Sequence, residues 1–127
     1  MDTKAQGAME FLILFGSVMF FFVAFLLVIQ TNVYEKNLER QKILAQDLGL
    51  SVQNEISLAF ESSDGYSREF FVPDTILGKN YEIEILDERV YIHGDKIGVS
   101  YKVFPVQGSI IKGVNLIKKE DGIVYLN

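Results

Sequence analysis

Hydrophobic and polar positions divide the chain into three regimes. The first ten residues are mostly polar or small, and the nineteen that follow, "FLILFGSVMFFFVAFLLVI" from Phe11 to Ile29, carry no charge. At 1.5 Å per residue that run makes a helix of roughly 28 Å, close to the thickness of a bilayer's hydrocarbon core. A removable secretory signal has an apolar region of about 7 to 15 residues with a small-x-small cleavage site behind it. Here Gln30, Thr31 and Asn32 stand behind the run, and Ala24 has bulky Phe22 two residues before it. The pattern predicts a membrane-grade helix that is kept.

From Thr31 to about Ser62 the helical period continues in more polar company. Tyr34, Leu38, Ala45, Leu48, Val52, Ile56 and Ala59 fall within a stripe of roughly 80° when each residue advances about 100°. On the opposite side Lys36, Arg40, Asp47, Asn54 and Glu61 are interrupted by Ile43 and Leu50, which predicts a second, weaker contact surface and a helix buried on two sides. The first proline is Pro73, so nothing forces a break, although Gly16 and Gly49 weaken the helix by about 1 kcal/mol each. One helix of about fifty residues is expected, stopping near "SSDG" at Ser62 to Gly65.

After Gly65 the period becomes two. "NYEIEIL" sets Tyr81, Ile83 and Ile85 against Glu82 and Glu84, and Asp87 and Glu88 turn the chain into "RVYIHG". "IGVSYKVF" alternates Ile97, Val99, Tyr101 and Val103 against Ser100 and Lys102, and "SIIKGVNLI" and "IVYL" are joined through a hairpin signal, "EDG". Pro73 and Pro105 fall at strand borders, where a missing N–H costs least. Some sixty residues of sheet are marginal alone, so the sheet is expected to close over the apolar stripe of the helix. The expected fold class is α+β: a long N-terminal helix, membrane segment plus amphipathic half, packed on a small C-terminal antiparallel β-sheet.

Composition narrows the function. With 127 residues and 49% hydrophobic content there is room for one small domain beside the membrane segment, and a formal charge of -5 with scattered lysines and arginines argues against nucleic acid. There is no cysteine, which removes disulfides, thiolate metal sites and cysteine nucleophiles. The single histidine, His93, has no second ligand type at metal spacing and reads as a surface or rim residue. "ILGKN" fails as a phosphate loop, because Pro73 stands where the first glycine should be and Asn80 where Ser or Thr should be. Glu82 and Glu84 read as a solvated strand face rather than a cation site, and no asparagine lies in a glycosylation sequon. No cofactor or metal is indicated, and an enzyme is not expected.

The first regime carries a resemblance. "QGAMEFLIL", from Gln6 to Leu14, is similar to the Gln-x-Ser-x-Glu-x-x-x-Leu motif of archaeal type IV pilins with a class III signal peptide. Gln6, Glu10 and Leu14 match, and Ala8 replaces the usual serine while remaining small. Four such positions in a pattern defined beforehand arise by chance on the order of once in several thousand sequences. The resemblance implies a type IV pilin-like fold and a membrane-embedded prepilin peptidase that cuts between Ala5 and Gln6. Residues 1–5 would then be a leader, 6–30 a transmembrane and filament-core helix, 31–64 its amphipathic continuation and 65–127 a β head. It further implies other pilin subunits as partners, a membrane precursor with its C-terminal domain outside, and an extracellular surface filament once assembled. Phe11, Phe15, Phe20, Phe21, Phe22 and Phe25 would supply packing between subunits, and Glu10 would help set register.

Physical chemistry gives Glu10 two readings. A carboxylate at the bilayer centre costs about 2.5 to 3.5 kcal/mol and less near the interface, so in a dry helix bundle it needs a partner or a proton. The amine that cleavage creates at Gln6 of a neighbour is one such partner, unless the glutamine cyclises to pyroglutamate. Alternatively Glu10 is only an interfacial acid near a helix N-terminus, favoured by the macrodipole by about 0.3 to 1 kcal/mol. Basic residues bear on orientation too: Lys4 precedes the run, whereas Lys36, Arg40 and Lys42 follow it, so flanking charge alone opposes the orientation that the resemblance implies. The competing function is a single-pass anchored protein whose β domain binds an extracytoplasmic partner and does not polymerise. Major or minor subunit, and adhesion, motility or uptake, are left open by the residues.

Overall fold

The computed structural model describes residues 3–127. Of the expected leader, Met1 and Asp2 lie outside the described residues, and Thr3 to Ala5 are already helical. Helix α1 runs Thr3–Glu61, fifty-nine residues without interruption. The chain forms two compact units, one ending at Asn37 and the other Leu38–Asn127, with α1 contributing to both.

The first unit is helix alone. Its polar start and its apolar run share one uninterrupted backbone ladder, because no proline removes an amide and the Ser17 and Thr31 hydroxyls bond carbonyls one turn back. Ser17 Oγ donates to the Ile13 carbonyl at 2.8 Å and Thr31 Oγ1 to the Leu27 carbonyl at 3.0 Å.

In the second unit, α1 packs on two small sheets. Eight strands follow the helix: β1 Ser67–Val72, β2 Thr75–Ile76, β3 Lys79–Leu86, β4 Arg89–Gly94, β5 Gly98–Lys102, β6 Val106–Gly108, β7 Gly113–Glu120 and β8 Ile123–Leu126. One four-stranded sheet has the order β1-β7-β8-β6 and the other β2-β3-β4-β5. Ala45, Val52, Ile56 and Ala59 of the helix are buried with Val72, Ile117, Val124 and Leu126 of the first sheet and Tyr81, Val90 and Ile92 of the second. The amphipathic half thus supplies the core that the sheets lack. Asn115 is buried yet satisfied: its amide bonds the carbonyls of Ile111 and Gly113, and its Oδ1 accepts from the Ile111 amide and Asn127 Nδ2. Tyr81 donates to the Pro73 carbonyl, and burial, reinforced by Asp74, raises its pKa above the ordinary tyrosine value, so the phenol stays a neutral donor.

The helix ends where a sheet residue takes over its carbonyls. Lys119 Nζ on β7 donates to the carbonyls of Phe60 at 2.5 Å and Ser62 at 2.8 Å, satisfying acceptors that a helix C-terminus leaves open. Gly65, at φ +92°, turns the chain so that its amide reaches the Lys119 carbonyl at 2.8 Å, and Asp64 Oδ1 accepts from the Gly122 amide at 2.9 Å.

Several expectations change. The single antiparallel sheet is two sheets, and β6 pairs with β8 in parallel, because β6 enters beside β8 from the other sheet rather than through a hairpin. "SIIKGVNLI" does not begin a strand at Ser109: residues 109–112 form a loop held by Asn115, and β7 starts at Gly113, φ +100°. Strands β1, β2 and β6 are additional. Tyr34 is exposed rather than part of the buried stripe, since the sheets cover the helix only from about Ala45 onward. Ile43 and Leu50 are exposed as well, so within this chain the helix is buried on one side and not two.

Candidate assembly and processing segment

All eleven residues singled out for processing, register or packing lie in the first unit, on α1. Ala5, Gln6, Ala8, Glu10 and Leu14 are exposed. Successive steps of four residues advance about 40° around a helix, so Gln6, Glu10 and Leu14 lie along one side within about 80°. Their spacing in the motif is a helical spacing, and it brings two polar ends together: Gln6 Nε2 donates to Glu10 Oε1 at 3.4 Å. That contact was readable from an i, i+4 glutamine and glutamate pair once the helix is known to begin before Gln6.

Cleavage geometry is less open. Ala5 and Gln6 are both inside α1, so in regular helix the Ala5 carbonyl accepts from the Met9 amide and the Gln6 carbonyl from the Glu10 amide.

The phenylalanines divide between faces. Phe11 and Phe15 stack with centroids 6.0 Å apart and planes 19° apart, and by helical angle Phe22 and Phe25 follow on the same side. Phe20 and Phe21 meet edge to face at 5.8 Å and turn away to other sides, with about 70% of each exposed. Every residue of the apolar run is exposed except half-buried Ala24. A phenylalanine side chain kept in water forgoes on the order of 1.5 to 3 kcal/mol, so this surface requires lipid or another helix. The helix is long and apolar enough to cross a membrane.

The polar residues of the sheets form a different locality. His93 on β4 faces Glu82 on β3, with Nε2 3.6 Å from Glu82 Oε2 and 3.8 Å from Glu84 Oε1, on an exposed strand surface. Lys112 Nζ lies over the Tyr81 ring at 4.5 Å, on the wall of an open groove that His93, Glu82 and Asp95 also line. Among the described residues no three His, Asp or Glu side chains converge on a point that would hold a metal ion. The Gly78–Lys79 pair serves a turn, with Leu77 and Gly78 at φ 49° and 72° between β2 and β3.

No protein family, curated protein or solved structure matches the chain.

Proposed function

We propose that the chain is a structural subunit, major or minor, of an archaeal type IV pilus-like surface filament. The observation that carries this reading is the Gln6, Ala8, Glu10 and Leu14 motif lying on the exposed start of a helix that continues without a break into nineteen uncharged residues. A plain membrane anchor has no use for that arrangement. A prepilin peptidase removes residues 1–5, and the helix then leaves the membrane to pack against the helices of other subunits. The phenylalanines exchange lipid for neighbouring helices, and Glu10 meets the charge or amide of a neighbouring Gln6. The α/β unit beyond Leu38 forms the filament's outer surface.

Mass spectrometry of the N-terminus in the native membrane tests the proposal. A mature chain beginning at Gln6, or at its pyroglutamate, is the expected result. An intact Met1 or a cut after Ile29 overturns it, and an intact, membrane-bound chain leaves the single-pass anchored protein as the surviving reading.

A further inference from the structure

The bond between Ala5 and Gln6 is held in helical backbone, and helical backbone is a poor substrate for hydrolysis. Hydrolysis adds the hydroxyl of a water to the Ala5 carbonyl carbon and breaks the bond to the Gln6 nitrogen, which takes the remaining proton. The products are an Ala5 carboxylate and a Gln6 amine. For the carbonyl to be attacked it must first be released from the Met9 amide, which requires the first turns of α1 to open.

One residue beyond that bond stands Gly7. Its φ is not in the left-handed region, and a Cβ built on it meets nothing within 4 Å. Neither backbone conformation nor packing within this chain therefore calls for glycine at Gly7, and the same holds at Gly16, which lies inside the apolar run away from the cut. The contrast within the same helix is Gly49, where a Cβ would stand 2.5 Å from Tyr101 Cδ2. What Gly7 does is lower the stability of the helix around it, because glycine has the largest backbone freedom to lose.

We infer that Gly7 is a positioning residue for processing: it lets the N-terminal turns of α1 unwind, so that the Ala5–Gln6 bond reaches a membrane-embedded peptidase in extended form. The inference rests on the reading of residues 1–5 as a removable leader. Gly7 acts through the backbone and not through a contact of its own, which separates it from the motif residues on either side.

The test follows leader removal over time for the full chain in native membranes by intact-mass spectrometry. Gly7→Ala should slow the cut about five-fold, since the two residues differ by about 1 kcal/mol in a helix. Gly7→Asn, bulkier than alanine but a poor helix former, should stay within about two-fold of the native rate. Adding Met9→Gly to Gly7→Ala should recover most of the lost rate. In detergent micelles, amide exchange at residues 7–10 should slow about five-fold in Gly7→Ala, with no peptidase present. If Gly7→Ala is cut as fast as the native chain, the inference fails while the leader reading stands. If Gly7→Asn is cut more slowly than Gly7→Ala, the peptidase is reading side-chain size and the inference is wrong. A native chain that keeps Met1 removes the leader reading and this inference with it.

Discussion

Gly49 shows how one position can look like a weakness from sequence and be a requirement in the fold. By composition it costs the helix about 1 kcal/mol, as Gly16 does. In the second unit it is buried beneath the Tyr101 ring, and an added Cβ would lie 2.5 and 2.6 Å from two ring carbons and 3.5 Å from Ile92 Cδ1. The glycine lets the helix approach β5 closely enough for Gln53 Nε2 to reach the Lys102 carbonyl at 2.7 Å. Gly49→Ala therefore gains helix propensity and loses more through the displaced ring, a net destabilisation of about 1 to 3 kcal/mol. Urea unfolding of the detergent-solubilised protein, followed by tyrosine fluorescence, should give a lower midpoint. An unchanged or higher midpoint would mean that the ring moves aside freely. The sequence carries no sign of this contact, because Gly49 and Tyr101 are brought together by the sheet and not by spacing. Gln6 and Glu10 are the opposite case, one helical turn apart and readable as a pair.

Among the elements, legibility follows locality. The β3–β4 and β7–β8 hairpins were visible because alternating runs flank two-residue turns, and Asp87, Glu88, Asp121 and Gly122 all take the positive φ that such turns need. Strand β1 was not visible: Phe70 and Phe71 are adjacent, one half-buried and one exposed, so "SREFFV" lacks a clear alternation. Strand β6 has only three residues and a parallel partner, which no local pattern announces. Its last residue, Gly108, sits at φ +104°, where a Cβ would overlap the carbonyl oxygen of Leu126. Gly108→Ala should thus cost about 2 to 4 kcal/mol by forcing β6 away from β8, more than Gly49→Ala, because the obstacle is backbone and cannot rotate aside. The same unfolding measurement should rank the two variants in that order. A reversed ranking would mean that β6 contributes little to the sheet.

For the molecule as a whole, the long helix with its two regimes was legible because period and charge persist over dozens of residues. The limit of its buried stripe was not, since Tyr34 and Ala45 differ only in what the sheets reach. The candidate site was legible as a motif, whereas the enclosure of the Ala5–Gln6 bond in helix was not, because the short polar start before Phe11 carries no helical period of its own. Glu10 is where the filament proposal is most exposed to test. Glu10→Val removes the one charge beside the apolar run and the acceptor of Gln6, while leaving Ala5 and Gln6 in place. Leader removal should proceed, but the amount of protein in sheared surface filaments should drop at least ten-fold, judged by immunoblot against the membrane pool. Normal filaments from that variant would end the register role.

Lys119 gives the second unit a mechanical character. Its ammonium holds the carbonyls of Phe60 in the last turn of α1 and of Ser62 just beyond it, while its own amide and carbonyl pair with Tyr66 and Gly65 on the segment leading into β1. The end of α1 is therefore tied to an inner strand of its sheet by hydrogen bonds at Lys119, in addition to the covalent link into β1. In the filament proposed above, a pull along α1 would reach β7 through Lys119 as well as through the covalent link at residues 62–66.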